Sequence, residues 1–263
     1  MLSAAEKAQR VLGILEKWYG DATTELHYRN AYELAVAVVL SAQCTDVRVN
    51  QTTPPFFERF PDFEALAKAT SEEVFPYIRS ISYPNSKAQR LVALAQAVMK
   101  EYRGRLPEDP ERLAELPGIG RKSANVLASV LFSAPVIAVD THVFRVSRRL
   151  GLAKGSTPEK VEQELNGIIP PAYLGRAHHW LILFGRYHCT ARRPKCGECP
   201  FTDICDWYQA QQGFGGTTES TEGTEEAMAA PVSESGASGK ADEGMVLVSR
   251  GRGRSPRRKK ATE

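Results

Sequence analysis

The stretch LAELPGIGRKSANV, residues 113–126, places a tight turn between two helical patterns. Pro117 ends the first helix, and Gly118 and Gly120 are expected to allow a turn with positive φ. The helix resumes at Arg121, so the N–H groups at its N-terminus have no side chain in front of them. This arrangement predicts a site for a phosphate group, although many purely structural helix–turn–helix corners share the pattern.

Two side chains are candidates for chemistry, one just after this turn and one further along the chain. Lys122 lies in the first turn of the second helix, where the partial positive charge of the helix N-terminus favours a neutral, nucleophilic amine. The alternative is an exposed lysine that contacts phosphate. Asp140 stands after an apolar run and just before another helical pattern, where aspartate is typically an N-cap. A capping carboxylate is held rigidly, so capping and catalysis are compatible.

Helical spacing of apolar residues continues along the chain on both sides of the turn. We predict helices over residues 4–19, 31–41, 47–59, 63–68, 71–80, 86–102, 108–116, 121–133, 141–150, 157–169 and 172–185. Pro54 and Pro55 are expected to bend or break the third of them. The β-branched run at 136–139 is too short and isolated to indicate a sheet. The sequence therefore predicts an all-α fold with short loops.

Four of the five cysteines lie close together near the end of the predicted helices, at Cys189, Cys196, Cys199 and Cys205, with gaps of six, two and five residues. Thiolates that cluster in a chain otherwise poor in cysteine indicate a metal centre, not a disulfide framework. A reducing compartment fits this pattern. From the spacing alone, zinc and an iron–sulfur cluster are both compatible.

Composition adds little about partners. The formal net charge of the 263 residues is +3, and residues 211–263 hold eight acidic and eight basic side chains. Gly, Ser, Thr, Glu and Ala dominate there, so we predict a disordered tail over 213–263. Its basic end at 250–260 is either solvated or a weak arm that tracks phosphates. No signal peptide and no apolar stretch of about 18 residues is present, so no membrane association is expected.

Taken together, these segments resemble the endonuclease III family, bifunctional DNA glycosylases of the helix–hairpin–helix superfamily. The resemblance runs from about residue 23 to 208 and also rests on LSAQCTDVRVN (40–50), VDTHVFRV (139–146) and HHWLILFGRYHC (178–189). It implies two helical domains on either side of a DNA-binding cleft. One is a bundle over 23–135 with the helix–hairpin–helix at 108–133. The other combines 1–22 and 136–212 and carries the cysteine loop.

The resemblance also implies roles for single residues. Cys189, Cys196, Cys199 and Cys205 would hold a [4Fe–4S] cluster. Lys122 would be the nucleophile and Asp140 the essential aspartate, while Gln43 would fill the gap left by an extruded base. Backbone contacts would come from Gly118, Gly120 and Arg121, and from Arg192, Arg193 and Lys195 in the loop 190–195. The alternative for the loop is that its cations only screen an anionic cluster.

The implied activity is removal of oxidised pyrimidines from double-stranded DNA and cleavage at the abasic site by β-elimination through a lysine Schiff base. A monomer in the bacterial cytoplasm, working on nucleoid DNA, is the matching expectation. The chain has Ser82-Tyr83-Pro84 where the family usually has Gly-Leu-Tyr, so Tyr83 is expected to stack on a base where leucine acts as a wedge. The alternatives are adenine and oxoguanine glycosylases of the superfamily and a non-catalytic damage-binding protein.

Overall fold

The computed structural model describes residues 2–213, and that part of the chain contains helices and turns but no strand. The all-α prediction is therefore confirmed. The α-helices are α1 (Ala4–Tyr19), α2 (Ala31–Ser41), α3 (Asp46–Arg59), α4 (Phe63–Ala67), α5 (Ser71–Ile78), α6 (Pro84–Tyr102), α7 (Pro110–Glu115), α8 (Arg121–Phe132), α9 (Thr141–Leu150), α10 (Pro158–Ile168), α11 (Leu174–Tyr187) and α12 (Asp206–Gly213). The predicted basic end at 250–260, and all of the predicted tail beyond 213, lie outside the described residues.

Side-chain caps explain where most of these helices begin. The capping residues are Ser3, Asn30, Thr45, Asp62, Thr70, Asp109, Asp140 and Thr157, each accepting a hydrogen bond from a first-turn N–H group. Such a cap satisfies a donor that the helix itself leaves unpaired. Helix α8 is an exception, because Gly120 stands at its N-cap and has no side chain to offer.

Pro54 and Pro55 were expected to bend or break the third helix, and the expectation of a break is wrong. Helix α3 continues through Pro54 and Pro55 to Arg59. An internal proline removes a helical hydrogen bond and costs about 3 kcal/mol. Burial offsets that cost, because Phe56 and Phe57 directly after the prolines are 0% and 6% exposed, and each such side chain contributes about 1.5–3 kcal/mol.

The apolar side chains of the described residues form two hydrophobic clusters. The first surrounds α2, whose residues 32–40 are all buried, and draws its other members from α3 to α8. The second is built around Trp180 and Phe184 of α11 and includes the apolar faces of α1, α9 and α10. The two clusters meet where the Asn125 side-chain amide donates to the Ile137 carbonyl at 3.2 Å. The candidate functional site described below lies at this boundary.

Candidate active site and cysteine loop

The turn between α7 and α8 is anchored from below by the buried side chains of Leu116 and Ile119. Gly118 has φ +81°, and a Cβ there would lie 3.1 Å from Arg90 Cβ, so both conformation and space require glycine. Gly120 differs from expectation, since its backbone is extended at φ −92°. A Cβ on Gly120 would meet no atom within 4 Å, so its absence leaves open space in front of the α8 N-terminus.

Lys122 reaches its position through the packing of α8. Ala124, Leu127 and Ala128 are buried on one side of the helix, which leaves the first turn with Lys122 at the surface. No side chain caps that first turn, so its N–H groups remain available to an anion. The geometry is that of the predicted phosphate site.

Arg121, predicted to bind DNA, is paired within the protein. Its guanidinium donates to both carboxylate oxygens of Glu162, at 2.9 and 3.3 Å. The Glu162 residue is 8% exposed and the Arg121 side chain is 64% exposed, so the pair joins the start of α8 to the surface of α10. Arg121 therefore fixes the Lys122 turn against the second cluster, and its contact with DNA stays a prediction.

Asp140 is the N-cap of α9, as one of the two sequence interpretations has it. Its Oδ1 accepts hydrogen bonds from the N–H groups of His142 and Val143, both at 2.8 Å. Within the described residues, the Oδ2 atom accepts no hydrogen bond. One carboxylate therefore has one oxygen committed to the helix and one oxygen free for a ligand.

Lys122, Asp140 and Gln43 line one cleft of about 330 Å³. Its walls come from both hydrophobic clusters: Thr23–Leu26, Val38, Ser41–Gln43, Asp46, Ser123 and Val126 on one side, and His178, His179, Ile182, Leu183 and Arg186 of α11 on the other. None of the α11 residues in this wall was among the predicted site residues. Tyr83, Gly118, Gly120 and the loop cations lie outside it.

Two adjacent histidines form part of the cleft wall. His178 pairs its Nδ1 with the Ala138 carbonyl at 2.7 Å, and burial holds the pKa of His178 far below its ordinary value. Burial also lowers the pKa of His179 to about 4. Both imidazoles are therefore neutral at pH 7. Two consecutive histidines within a predicted helix are the sequence signal that could have found them.

Arg186 lines the cleft and is held there by ion pairs. Its guanidinium donates to Asp46 at 2.9 Å and to Glu25, whose other carboxylate oxygen accepts from the Tyr187 hydroxyl at 2.9 Å. These ion pairs join α11 to the segment before α2 and to the start of α3. No sequence pattern marked them, because the partners are far apart in the chain.

Acidification should lower the free energy of unfolding through His179. The unfolded histidine takes up a proton near pH 6.5, whereas the folded one does so only near pH 4, so the unfolded state binds more protons between these values. This contribution to stability is complete above pH 6.5 and is lost as the pH falls through that window. We expect a loss of about 2 kcal/mol between pH 7 and pH 5.

Urea unfolding at pH 7 and pH 5, followed by circular dichroism, measures this loss. His179→Gln should remove that part of the pH dependence. Cluster absorbance recorded on the same samples separates metal loss from unfolding. Equal pH dependence in the parent protein and in His179→Gln would contradict the assignment.

Gln43 and Tyr83 are exposed residues on two loops that touch. Gln43 follows the end of α2, and Tyr83, 66% exposed, precedes α6. Both residues have a left-handed backbone, with φ of 54° and 56°. The Ser82 hydroxyl donates to the Gln43 carbonyl at 2.8 Å. The structure thus brings the two side chains predicted to enter DNA onto neighbouring loops.

The four cysteines line one small apolar pocket, together with Phe184, Trp207 and Tyr208. Burial raises the pKa of Cys199 to about 11, so a bare thiolate is unfavourable there and a bound cation is needed to stabilise it. Zinc requires its ligands at about 2.0–2.3 Å from a single ion. Within residues 2–213, no three His, Cys, Asp or Glu side chains are grouped to hold one ion. Four thiols around one apolar pocket are the donor set that an iron–sulfur cluster takes, so these residues fit such a cluster.

The loop after Cys189 is fixed at its start and exposed beyond it. Arg149 donates to the Thr190 and Ala191 carbonyls at 2.8 and 2.9 Å and lies 3.5 Å from the Cys189 sulfur. The loop cations Arg192, Arg193 and Lys195 are exposed. Within residues 2–213, none of them forms a salt bridge.

Comparison with known proteins agrees with this geometry. Residues 36–171 match the family model of HhH-GPD superfamily base excision DNA repair proteins. Residues 189–205 match the iron–sulfur binding domain of endonuclease III. No helix among residues 2–213 is both long enough and apolar enough to cross a bilayer.

The matches to individual relatives span most of each relative's length. The chain is 47% identical over 204 residues to endonuclease III of Rickettsia conorii (strain ATCC VR-613 / Malish 7), covering 78% of this chain and 97% of that protein. It is 43% identical over 185 residues to endonuclease III of Escherichia coli (strain K12), covering 70% and 88%. A trapped covalent complex of endonuclease III with DNA superposes with a TM-score of 0.76 at 41% identity, covering 81% of this chain and all of that one. The chain therefore belongs to the endonuclease III family of helix–hairpin–helix base excision repair proteins, whose members carry a [4Fe–4S] cluster.

Proposed function

We propose that the chain removes oxidised pyrimidines from double-stranded DNA and then cleaves the strand at the resulting abasic site. One observation carries this proposal: Lys122 and Asp140 line the same cleft between the two hydrophobic clusters. An amine and a carboxylate in one cleft are the groups that nucleophilic displacement of a base requires. Family membership supports the reaction class, and the residue roles below rest on geometry and resemblance.

DNA binding begins at the backbone. The uncapped first turn of α8, with Gly118 and Gly120 before it, is suited to a phosphate and would set the register of the duplex. The target base then leaves the stack, at a cost of a few kcal/mol that is smaller where damage has weakened pairing. Gln43 would occupy the gap, and Tyr83 would stack on the opposite strand.

The chemistry then proceeds on the sugar. The neutral Lys122 amine attacks C1′, and the bond to the base breaks with its electron pair leaving on the base, which takes up a proton. The Oδ2 atom of Asp140 stabilises the positive charge that develops on the sugar and assists the proton transfers. Loss of the amine protons and ring opening give the Schiff base. Removal of a C2′ proton then expels the 3′ phosphate, and water releases the enzyme.

The cluster would be held by Cys189, Cys196, Cys199 and Cys205. When bound it supplies a rigid anchor for the loop 190–195. That anchor would present Arg192, Arg193 and Lys195 to DNA phosphates, which gives sequence-independent affinity that decreases with salt. Arg149 holds the start of the same loop through its carbonyl contacts.

The two hydrophobic clusters support a division into two domains: a bundle over 23–135, and a terminal domain made of 1–22 and 136–212. Arg121–Glu162 and Arg186–Asp46 would then be ion pairs across the domain boundary. We further propose a monomer that acts on nucleoid DNA in the cytoplasm of a bacterium. Endonuclease III proteins of two bacteria, among the relatives named above, support that setting.

The test uses four duplexes: one with thymine glycol, one with 8-oxoguanine opposite cytosine, one with adenine opposite 8-oxoguanine, and one with an abasic site. We expect base release with strand cleavage on the first and cleavage on the last. Released base on an uncut strand would indicate a glycosylase without lyase chemistry. Bound but intact thymine-glycol DNA would contradict the proposed enzyme and leave only a damage-binding protein.

A further inference from the structure

Two strained residues stand side by side on the DNA-facing surface. Gln43, in the loop 42–44, and Tyr83, in the turn 82–84, both have left-handed φ values, 54° and 56°. For residues with a Cβ this conformation costs about 1–2 kcal/mol. Such strain persists only where the surroundings impose it, and it concentrates at functional positions. Around Gln43, the contacts that hold the backbone come from one short segment, residues 82–87.

Three side-chain hydrogen bonds run from that segment to backbone carbonyls around Gln43. The Ser82 hydroxyl donates to the Gln43 carbonyl at 2.8 Å. The Lys87 ammonium donates to the Leu40 carbonyl at 2.8 Å and to the Ala42 carbonyl at 2.6 Å. All three acceptors lie at or just past the end of α2, where a helix leaves its carbonyls unpaired.

Lys87 is an unusual residue for this position. It is 3% exposed, and within residues 2–213 it has no carboxylate partner. A buried ammonium is expensive unless its donors are satisfied. Here two carbonyls and the negative end of the α2 dipole stabilise it. A charge placed in this way ties the start of α6 to the end of α2.

We propose that Ser82 and Lys87 are positioning residues that make the loop 42–44 and the turn 82–84 one rigid unit, so that Gln43 and Tyr83 enter a damaged duplex together. The inference rests on the proposed function, in which both side chains contact DNA. The Ser82 hydroxyl forms a hydrogen bond that glycine, the residue usual at this position in the family, cannot form. The insertion of Gln43 is thereby coupled to the stacking of Tyr83.

A double-mutant cycle measures that coupling. The affinity for a duplex with a tetrahydrofuran abasic analogue is determined for the parent protein, Gln43→Ala, Tyr83→Ala and the double variant. Because the DNA contact of each residue depends on the other residue, the affinity loss of the double variant should be smaller than the product of the two single losses. We expect a difference of about threefold or more, which corresponds to the free energy of one hydrogen bond. In a Ser82→Ala background the same two losses should multiply.

Matched variants make the result specific to the hydroxyl. Ser82→Thr keeps a hydroxyl and should retain the coupling. Ser86→Ala, four residues on, removes a hydroxyl without a hydrogen-bond partner among the described residues and should also retain it. If the two single losses multiply in the parent protein, or if the coupling persists in Ser82→Ala, the proposed role of Ser82 is wrong. The proposed DNA contacts of Gln43 and Tyr83 would stand in either case. If neither Gln43→Ala nor Tyr83→Ala weakens binding, the proposed DNA contacts and the tie both fail.

Discussion

Lys122→Ala should lower the rates of base release and strand cleavage by at least about a thousandfold, because no other amine among residues 2–213 lies in the cleft. Both steps depend on the same nitrogen, which first displaces the base and then holds the sugar as a Schiff base. The measurement is single-turnover cleavage of a thymine-glycol duplex, with released base and cut strand followed separately. A variant that loses only strand cleavage would assign base release to a different group.

Binding is the control for this prediction. Since Lys122 is exposed at the start of α8 and buries nothing, its removal should leave the fold intact and change the affinity for an abasic analogue only a few-fold. Lys154→Ala removes another exposed lysine, outside the cleft, and should keep full activity. Strand cleavage that survives in Lys122→Ala at a parent-like rate would refute the nucleophile assignment.

Asp140→Asn should separate the two functions of this carboxylate. Asparagine caps helices about as well as aspartate, so the bonds from the His142 and Val143 N–H groups can be kept by its amide oxygen. We expect a stability loss below about 1 kcal/mol, mainly from the lost charge at the α9 N-terminus. The activity should fall by about a hundredfold to a thousandfold, because the charge that stabilises the developing cation is gone.

Asp140→Ala is the companion variant. It removes the cap as well as the charge, so it should lose a further ~1 kcal/mol of stability while its activity is no lower than that of Asp140→Asn by more than a few-fold. Urea unfolding and single-turnover kinetics on the same preparations provide both numbers. If Asp140→Asn retains parent activity, Asp140 is a cap and nothing more.

Local signals were sufficient for eleven of the twelve α-helices in residues 2–213, all except α12, and for the two central residues. Apolar spacing placed α2 and α9 at their observed ends, and the turn LPGIG with an aspartate before α9 marked Lys122 and Asp140. These features depend on neighbours within a few residues, so the sequence contains them. The error at Pro54 and Pro55 has the opposite cause, since the burial of Phe56 and Phe57 in the tertiary structure outweighs the local preference of proline.

Contacts between distant segments could not be predicted. The ion pair that Arg121, a predicted DNA contact, forms with Glu162 of α10 is one example. The Ser82 bond to the Gln43 carbonyl likewise joins segments that no periodicity relates. Gly120 was expected to need positive φ, whereas its extended backbone leaves its missing side chain as open space. Pairings and empty space of this kind are properties of the folded chain.

The most direct measurement is the identity of the lysine that becomes attached to DNA. The parent protein is incubated with a thymine-glycol duplex in the presence of borohydride, digested with a protease, and the peptide that carries the nucleotide is sequenced by mass spectrometry. We predict one modified residue, Lys122. Attachment at any other amine, or complete strand cleavage with no attachment at all, would contradict the account.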